Sequence, residues 1–267
     1  MPSAHELSFT SILYEKTGRV IRISLNRPDK RNALSDVMLR ELSEAFTAAD
    51  KDPDAGCVVL TGVGDKAFCA GADLAGFGGE QSGIVGQYES RGLFPQLFLQ
   101  MENLSKPILA AVNGTCIAGG FGLMMACDLA VAKAGVKLGT PEIARGLFPF
   151  MISALITRAV PRRRAMELMF LGELFTAEQA ESWNLVNRVV AEESFAAEVD
   201  RFAQRIASFS PAVLKLGKRA LAKKEGMDLD GQLAFLQGLL SMNVMMEDAA
   251  EGISAFFEKR DPVWKGR

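Results

Sequence analysis

Histidine is nearly absent from this 267-residue chain: the only one is His5, close to the N-terminus. That scarcity argues against a Ser-His-Asp or Cys-His hydrolase and against histidine-ligated zinc or iron. Acid–base chemistry has to come from carboxylates, lysine, tyrosine or the backbone. An excess of one charge is also missing. The formal net charge is −2, which gives no general attraction to nucleic acid or to an anionic membrane surface. The opening MPSAHELSFTS lacks a basic segment followed by an apolar one, so no secretion signal is read. Cys57, Cys69, Cys116 and Cys127 form no CxxC pair, and three of them lie in apolar sequence. They read as reduced, structural residues of a cytoplasmic protein. Fixed-period repeats and low-complexity tracts are not evident.

What the chain does have is the balance of an ordinary globular enzyme, 49% hydrophobic and 23% charged. It also has one long uncharged run, PILAAVNGTCIAGGFGLMMAC, from Pro107 to Cys127. The run is long enough to span a bilayer. Turn chemistry interrupts it twice, at Asn113-Gly114-Thr115 and at Gly119-Gly120-Phe121-Gly122. We therefore expect a buried strand from Ile108 to Val112, a loop, and a helix opening at the glycines. Unpaired N–H groups at such a helix start favour negative charge.

Elsewhere, alternation suggests paired strands at Phe9 to Tyr14 and Val20 to Leu25, turning at Gly18. Helical spacing runs from about Ser35 to Asp50 and from Ile84 to Leu104. Cys57 to Thr61 reads as a buried strand, followed by a loop from Gly62 to Gly79. Short strands are expected at Asp128 to Ala132, Val136 to Leu138 and near Leu185 to Val190. Helices dominate after Pro149, and the tail from Ala203 looks helical, with breaks at Ser210-Pro211 and Gly226. This order gives an α/β fold with a helical C-terminal part. We divide it into a core, residues 1–200, and a helical region, residues 201–267. Leu233, Phe235, Leu236, Leu239 and Met242 in that region need cover, from the chain's own core or from another subunit.

Gly62-Val63-Gly64-Asp65-Lys66-Ala67 fits the loose dinucleotide fingerprint, but no amphipathic helix follows, so a loop or hairpin is expected there. Two other small-residue turns matter more. One is Phe68-Cys69-Ala70-Gly71-Ala72-Asp73-Leu74, the other Asn113 to Gly122, and each follows a buried strand. Together they could aim two backbone N–H groups at one developing oxyanion; alternatively, their glycines serve tight packing. Thr140-Pro141-Glu142 reads as a helix start with Thr140 as N-cap and Glu142 in the first turn. Its surroundings are apolar (Leu138, Ile143, Leu147, Phe148, Phe150). Burial would raise the Glu142 pKa while the helix start lowers it, a setting for proton transfer near neutral pH.

The motifs NRPDKRNAL (Asn26 to Leu34), AFCAGADL (Ala67 to Leu74), AAVNGTCIAGGFGLMMACDLAVA (Ala110 to Ala132), GTPEIARGLFP (Gly139 to Pro149) and AFFEKRDPVWK (Ala255 to Lys265) occur in this order. The set resembles the enoyl-CoA hydratase/isomerase, or crotonase, superfamily over nearly the whole chain. The resemblance implies a crotonase-like spiral of ββα units with a helical C-terminal region, assembled as a homotrimer or a dimer of trimers. It implies an acyl-CoA thioester as substrate, with coenzyme A part of that substrate rather than a separate cofactor. Residue by residue, it makes Ala72 and Gly119 the oxyanion donors and Glu142 the acid–base group. It puts Ala70, Asp73 and Leu74 on the loop around the adenine, Lys30 and Arg31 near the phosphates and adenosine, and Phe256 and Lys259 where they can reach a coenzyme A, sometimes a neighbour's.

One position departs from the pattern. Hydratases of the family carry a second glutamate in the helix after the glycine turn, and here Gly122 stands in its place. With one carboxylate, removing a proton at one carbon and returning it at another is the simpler task, so isomerisation of 3-enoyl to 2-enoyl thioesters is favoured. An acid entering over Gly122, such as Glu80 or Glu89, would restore hydratase or dehydratase chemistry on fatty or branched acyl groups. A catalytically silent acyl-CoA-binding subunit is the third reading. Phe77, Phe94, Phe148 and Phe150 suit an apolar acyl pocket and suit core packing equally.

Overall fold

The computed structural model describes residues 8–73 and 84–267. Leu74, Phe77 and Glu80, along with His5 and the Glu89 side chain, lie outside the described residues.

The chain opens with an antiparallel hairpin of β1 (Ile12–Thr17) and β2 (Val20–Leu25), turning at Gly18 with φ +57°. The first strand therefore starts three residues later than Phe9. Pairing with β2 sets its register, from Ile12 opposite Leu25 to Thr17 opposite Val20. Ser35 then caps α1 (Asp36–Lys51) by accepting the Met38 N–H, and the helix buries Met38, Leu42 and Phe46.

From there the chain winds as a spiral, each turn giving one strand to each of two sheets. The turns begin with β3 (Cys57–Gly62) and β4 (Ala67–Cys69), β5 (Ile108–Val112) and β6 (Thr115–Ile117), and β7 (Leu129–Lys133) and β8 (Lys137–Gly139). Their helices are α2 (Ile84–Asn103), α3 (Gly119–Met125) and, after a 3₁₀ helix at Pro141–Arg145, α4 (Phe150–Ala159). The expected ββα spiral is present. Neither β4 nor β6 was expected; both lie in stretches read as loops.

Next come α5 (Arg162–Leu171), β9 (Phe175–Thr176), α6 (Ala177–Ser182), β10 (Arg188–Val190) and α7 (Glu192–Ala207). Among the described residues the larger sheet runs β1-β2-β3-β5-β7-β10, parallel from β2 onward, and the smaller runs β4-β6-β8-β9. Strands β3, β5 and β7 are covered on both faces. Cys57, Val59, Leu109, Ala111 and Val131 meet Val199, Ala203 and Ala207 of α7, while Val58, Leu60, Ile108, Ala110 and Ala132 face the main core. That two-sided burial explains the uninterrupted apolar sequence of β5. No helix of the described residues is long and apolar enough to cross a membrane.

The chain closes with α8 (Pro211–Lys223), α9 (Leu229–Val244) and α10 (Glu247–Glu258). The last nine residues are not helical, contrary to expectation. Trp264 packs on Gly252 and donates its indole N–H to Ser208 O at 2.7 Å. α9 buries none of its residues in this chain, and Leu233, Leu240, Met242 and Val244 stand exposed.

Candidate active site

Three neighbouring parallel strands of the smaller sheet, β4, β6 and β8, run in the same direction with Cys69 beside Cys116 and Ile117 beside Gly139. Adjacent strands lie roughly 4.8 Å apart, so whatever follows their C-terminal ends is gathered at one edge. Ala72 follows β4, Gly119 follows β6 and Glu142 follows β8. The three residues singled out from distant motifs are thus delivered side by side by the topology.

The two turns interlock. A Cβ built on Gly119 would lie 3.3 Å from the Ala72 nitrogen, and one on Gly71 would lie 3.1 Å from the Gly119 nitrogen and 2.7 Å from the Ala118 Cβ. Gly71 also has φ +95°, so a side chain there would face both steric and backbone strain. Among the described residues neither the Ala72 nor the Gly119 N–H has an acceptor.

Planar trans peptides fix where these amides point. Gly71 O accepts Leu34 N–H at 2.8 Å, so the Ala72 N–H on the same peptide faces away from Leu34. Ala118 O accepts Gly122 N–H at 3.1 Å, so the Gly119 N–H points out of the start of α3. That helix has seven residues, and the donor is this individual amide rather than a macrodipole. Ala118 holds φ +50° and ψ −129°, a strained conformation for a residue with a Cβ and a common signature of functional sites. Its N–H is tied to Gly139 O at 2.9 Å, joining this turn to the end of β8.

Glu142 is half-buried, and its Oε2 is buried with no hydrogen-bond partner. Burial holds its carboxyl above the ordinary value of 4.5, opposed by its own backbone N–H and by the Arg145 cation. Thr140 is not the expected side-chain cap. Its hydroxyl, fully buried, donates instead to Leu168 O of α5 at 3.0 Å, which pins the start of the 3₁₀ helix to its neighbour.

The space over Gly122 is apolar. A Cβ there would lie 2.8 Å from Ile152 Cγ1 of α4 and 3.0 Å from Phe98 Cζ of α2. Phe94 packs edge-on to Phe98, with centroids 4.7 Å apart, and its Cζ lies 3.0 Å from the Cβ position of Gly119. Phe94 and Phe98 are core residues against the site, Phe148 is half-buried, and Phe150 is 75% exposed.

The Asn26 to Leu34 loop lies against the first turn. Ala70 N–H donates to Arg31 O at 3.0 Å, and Asp73 N–H to Leu34 O at 2.9 Å. Lys30 and Arg31 are exposed beside this junction, with Arg31 at φ +51°. Arg31 and Lys66 line a recess of about 310 Å³ with Pro28, Asn32 and Gly64. Sequence reading missed three residues here. Lys66 is one, hidden in the discarded dinucleotide pattern. Asn32 is 1% exposed; its side chain accepts Arg27 N–H and donates to Val63 O and Ala67 O. Arg27 pairs with Asp73 at 2.9 Å and donates to Ala33 O, so the Asp73 carboxylate braces the loop. Phe256 lies on α10, which packs on α8 and α9, and Lys259 ends that helix at φ +54°. Among the described residues no hydrogen bond or ion pair joins either to the three-strand edge.

Residues 15–267 match the family model for enoyl-CoA hydratase/isomerase. The chain is 38% identical over 262 residues to a protein of Rhizobium meliloti named probable enoyl-CoA hydratase, covering 98% of this chain and all of that one. It is 33% identical over 255 residues to a crotonyl-CoA hydratase of Syntrophomonas wolfei, covering 95% and 97%. A crystal structure of enoyl-CoA hydratase from Mycobacterium smegmatis superposes with a TM-score of 0.91 at 33% identity, covering 96% and 99%. The fold is that of crotonase-type enoyl-CoA hydratases. The chain belongs to the enoyl-CoA hydratase/isomerase, or crotonase, family.

Proposed function

We propose that this enzyme adds water to, and removes it from, the 2,3 double bond of an enoyl-CoA thioester. The thioester oxygen sits against the Ala72 and Gly119 amides, and Glu142 handles the protons. One observation carries the reading: two amides that find no acceptor among the described residues and one half-buried carboxylate with an unpartnered oxygen emerge from three adjacent parallel strands. Each amide donor of this kind is worth roughly 3 kcal/mol of barrier.

In the forward direction Glu142 takes a proton from water as the water oxygen bonds to C3. The π electrons move through C2 onto the thioester oxygen as an enolate. The same carboxyl then gives its proton to C2, yielding the 3-hydroxyacyl thioester with both additions on one face. The sequence alone favoured isomerisation; the names of the relatives, hydratases matched over nearly their whole lengths, are the reason hydration comes first here.

Isomerisation of 3-enoyl thioesters is the second reading, supported by a specific observation. Phe98 and Ile152 occupy the ground over Gly122 where a second acid would stand, and proton transfer between two carbons needs no water there. Crotonyl-CoA separates the two. Loss of its conjugated absorbance supports hydration. If that absorbance persists while a 3-enoyl-CoA gains conjugation, isomerisation is correct.

Coenzyme A is taken as part of the substrate, with no separate cofactor. Lys30, Arg31, Lys66 and the Ala70 to Leu74 loop are assigned to its adenosine and phosphates, and Phe256 and Lys259 to coverage from α10. Assembly as a homotrimer or dimer of trimers is supported by α9, none of whose residues is fully buried in its own chain; light scattering at micromolar concentration tests it. Four free cysteines suit a reducing, cytoplasmic setting.

A further inference from the structure

Two of the cysteines sit directly beneath the turns that carry the amides. Cys69 and Cys116 are register partners on adjacent strands β4 and β6, and each side chain reaches one turn. Cys69 Sγ accepts the Gly71 N–H at 3.5 Å, on the residue before Ala72. The Cys116 thiol donates to Gly120 O at 3.4 Å, on the residue after Gly119. Gly120 is seated on Cys69 itself: a Cβ there would lie 2.7 Å from the Cys69 Cβ. The first turn of α3 is thus both resting on one cysteine and held by the other.

Both residues are completely inaccessible. Burial pushes the Cys69 thiol up to about 12 and the Cys116 thiol well above its ordinary value. They are neutral S–H groups at physiological pH, able to donate and accept but not to act as nucleophiles. Neither has a place in the proton transfers assigned to Glu142.

We propose that Cys69 and Cys116 are positioning residues that clamp the two turns at one spacing, so that the Ala72 and Gly119 amides meet a single oxygen. This rests on the reading of those amides as the oxyanion pair. A side chain of sulfur size suits the role because it spans the 3.4–3.5 Å to the turn that follows its own strand while packing as a small hydrophobe, and Cys69 also seats Gly120 of the other turn.

The experiment compares Cys69→Ala, Cys116→Ala, Cys69→Ser and Cys116→Ser with the unaltered chain. Two readouts are used: steady-state kinetics on the enoyl-CoA that is turned over, and the carbonyl stretch of bound butyryl-CoA carrying 13C at C1, by isotope-edited infrared. In the unaltered chain the carbonyl should shift to lower frequency on binding. Each alanine variant should lose part of that shift and about 10-fold in kcat with KM within about 3-fold, short of the 10²–10³ typical for losing a whole donor. Serine, which can donate and accept like the thiol, should restore most of both. Alanine variants with a full carbonyl shift and unchanged kcat overturn the clamp, as do serine variants no better than alanine at equal melting temperature. An unshifted carbonyl in the unaltered chain sinks the oxyanion reading itself, and the clamp with it.

Discussion

Ile152 closes over Gly122 so tightly that a Cβ on the glycine would stand 2.8 Å from Ile152 Cγ1. The missing second carboxylate is therefore not an empty place, because α4 and α2 have filled it with carbon. Gly122→Glu should overpack the site, costing about 1–3 kcal/mol, without raising hydration of crotonyl-CoA. The double variant Gly122→Glu with Ile152→Ala should recover part of the lost stability and hydrate faster than Ile152→Ala alone. Thermal melts and absorbance assays on the three variants check both statements.

On the proposed mechanism, Glu142 sets the acid side of the pH profile. Burial raises its pKa above 4.5, and the reaction in either reading begins with the ionised carboxylate. The acid limb of kcat/KM should accordingly fall at a pH above 4.5, with full activity at neutral pH and loss on acidification. A limb at or below 4.5 would mean that Glu142 is not the titrating base.

The same burial has a stability counterpart. A pKa raised in the folded state means that folding favours the protonated form. Its contribution is complete below 4.5 and is lost as pH rises through the folded value. Glu142→Gln is neutral throughout, so its melting temperature should exceed that of the unaltered chain by a margin that grows as pH rises from 4.5 through the folded value. A constant margin would show that the carboxylate carries no such penalty.

Asn32 locks the loop beside the site to the turn before β4 through Val63 O and to β4 itself through Ala67 O. Replacing it with alanine leaves both carbonyls and the Arg27 N–H without this partner, at a cost of more than about 2 kcal/mol. Asn32→Asp keeps the Arg27 acceptor but loses both donations, and should be nearly as damaging. Denaturant melts measure the loss.

How much of this could be read from the sequence depended on how local the signal was. The α1 start at Ser35, the burial of β3 and β5, and the turns at Gly71 and Gly119-Gly120 are written in neighbouring residues, and they were legible. Strand β1 was displaced because its outer half, Glu15-Lys16-Thr17, is polar on an exposed edge, while Phe9 mimics a strand residue without pairing. β4 was invisible because Ala-Phe-Cys is only three residues long and owes its existence to pairing with β6, some fifty residues away. Thr140 carried the signature of a cap, but the buried carbonyl of Leu168 captured its hydroxyl. The wall over Gly122 comes from Phe98 and Ile152, on helices whose packing no local pattern encodes.

The central claim is that Glu142 exchanges a proton with the carbon beside a thioester whose oxygen rests on Ala72 and Gly119. Proton exchange at C2 of butyryl-CoA in deuterated water, followed by mass spectrometry, tests it whichever reaction the enzyme performs. The account predicts deuterium uptake with the unaltered chain and its loss, by two orders of magnitude or more, in Glu142→Gln at undiminished butyryl-CoA binding. Exchange at an equal rate in that variant would contradict it.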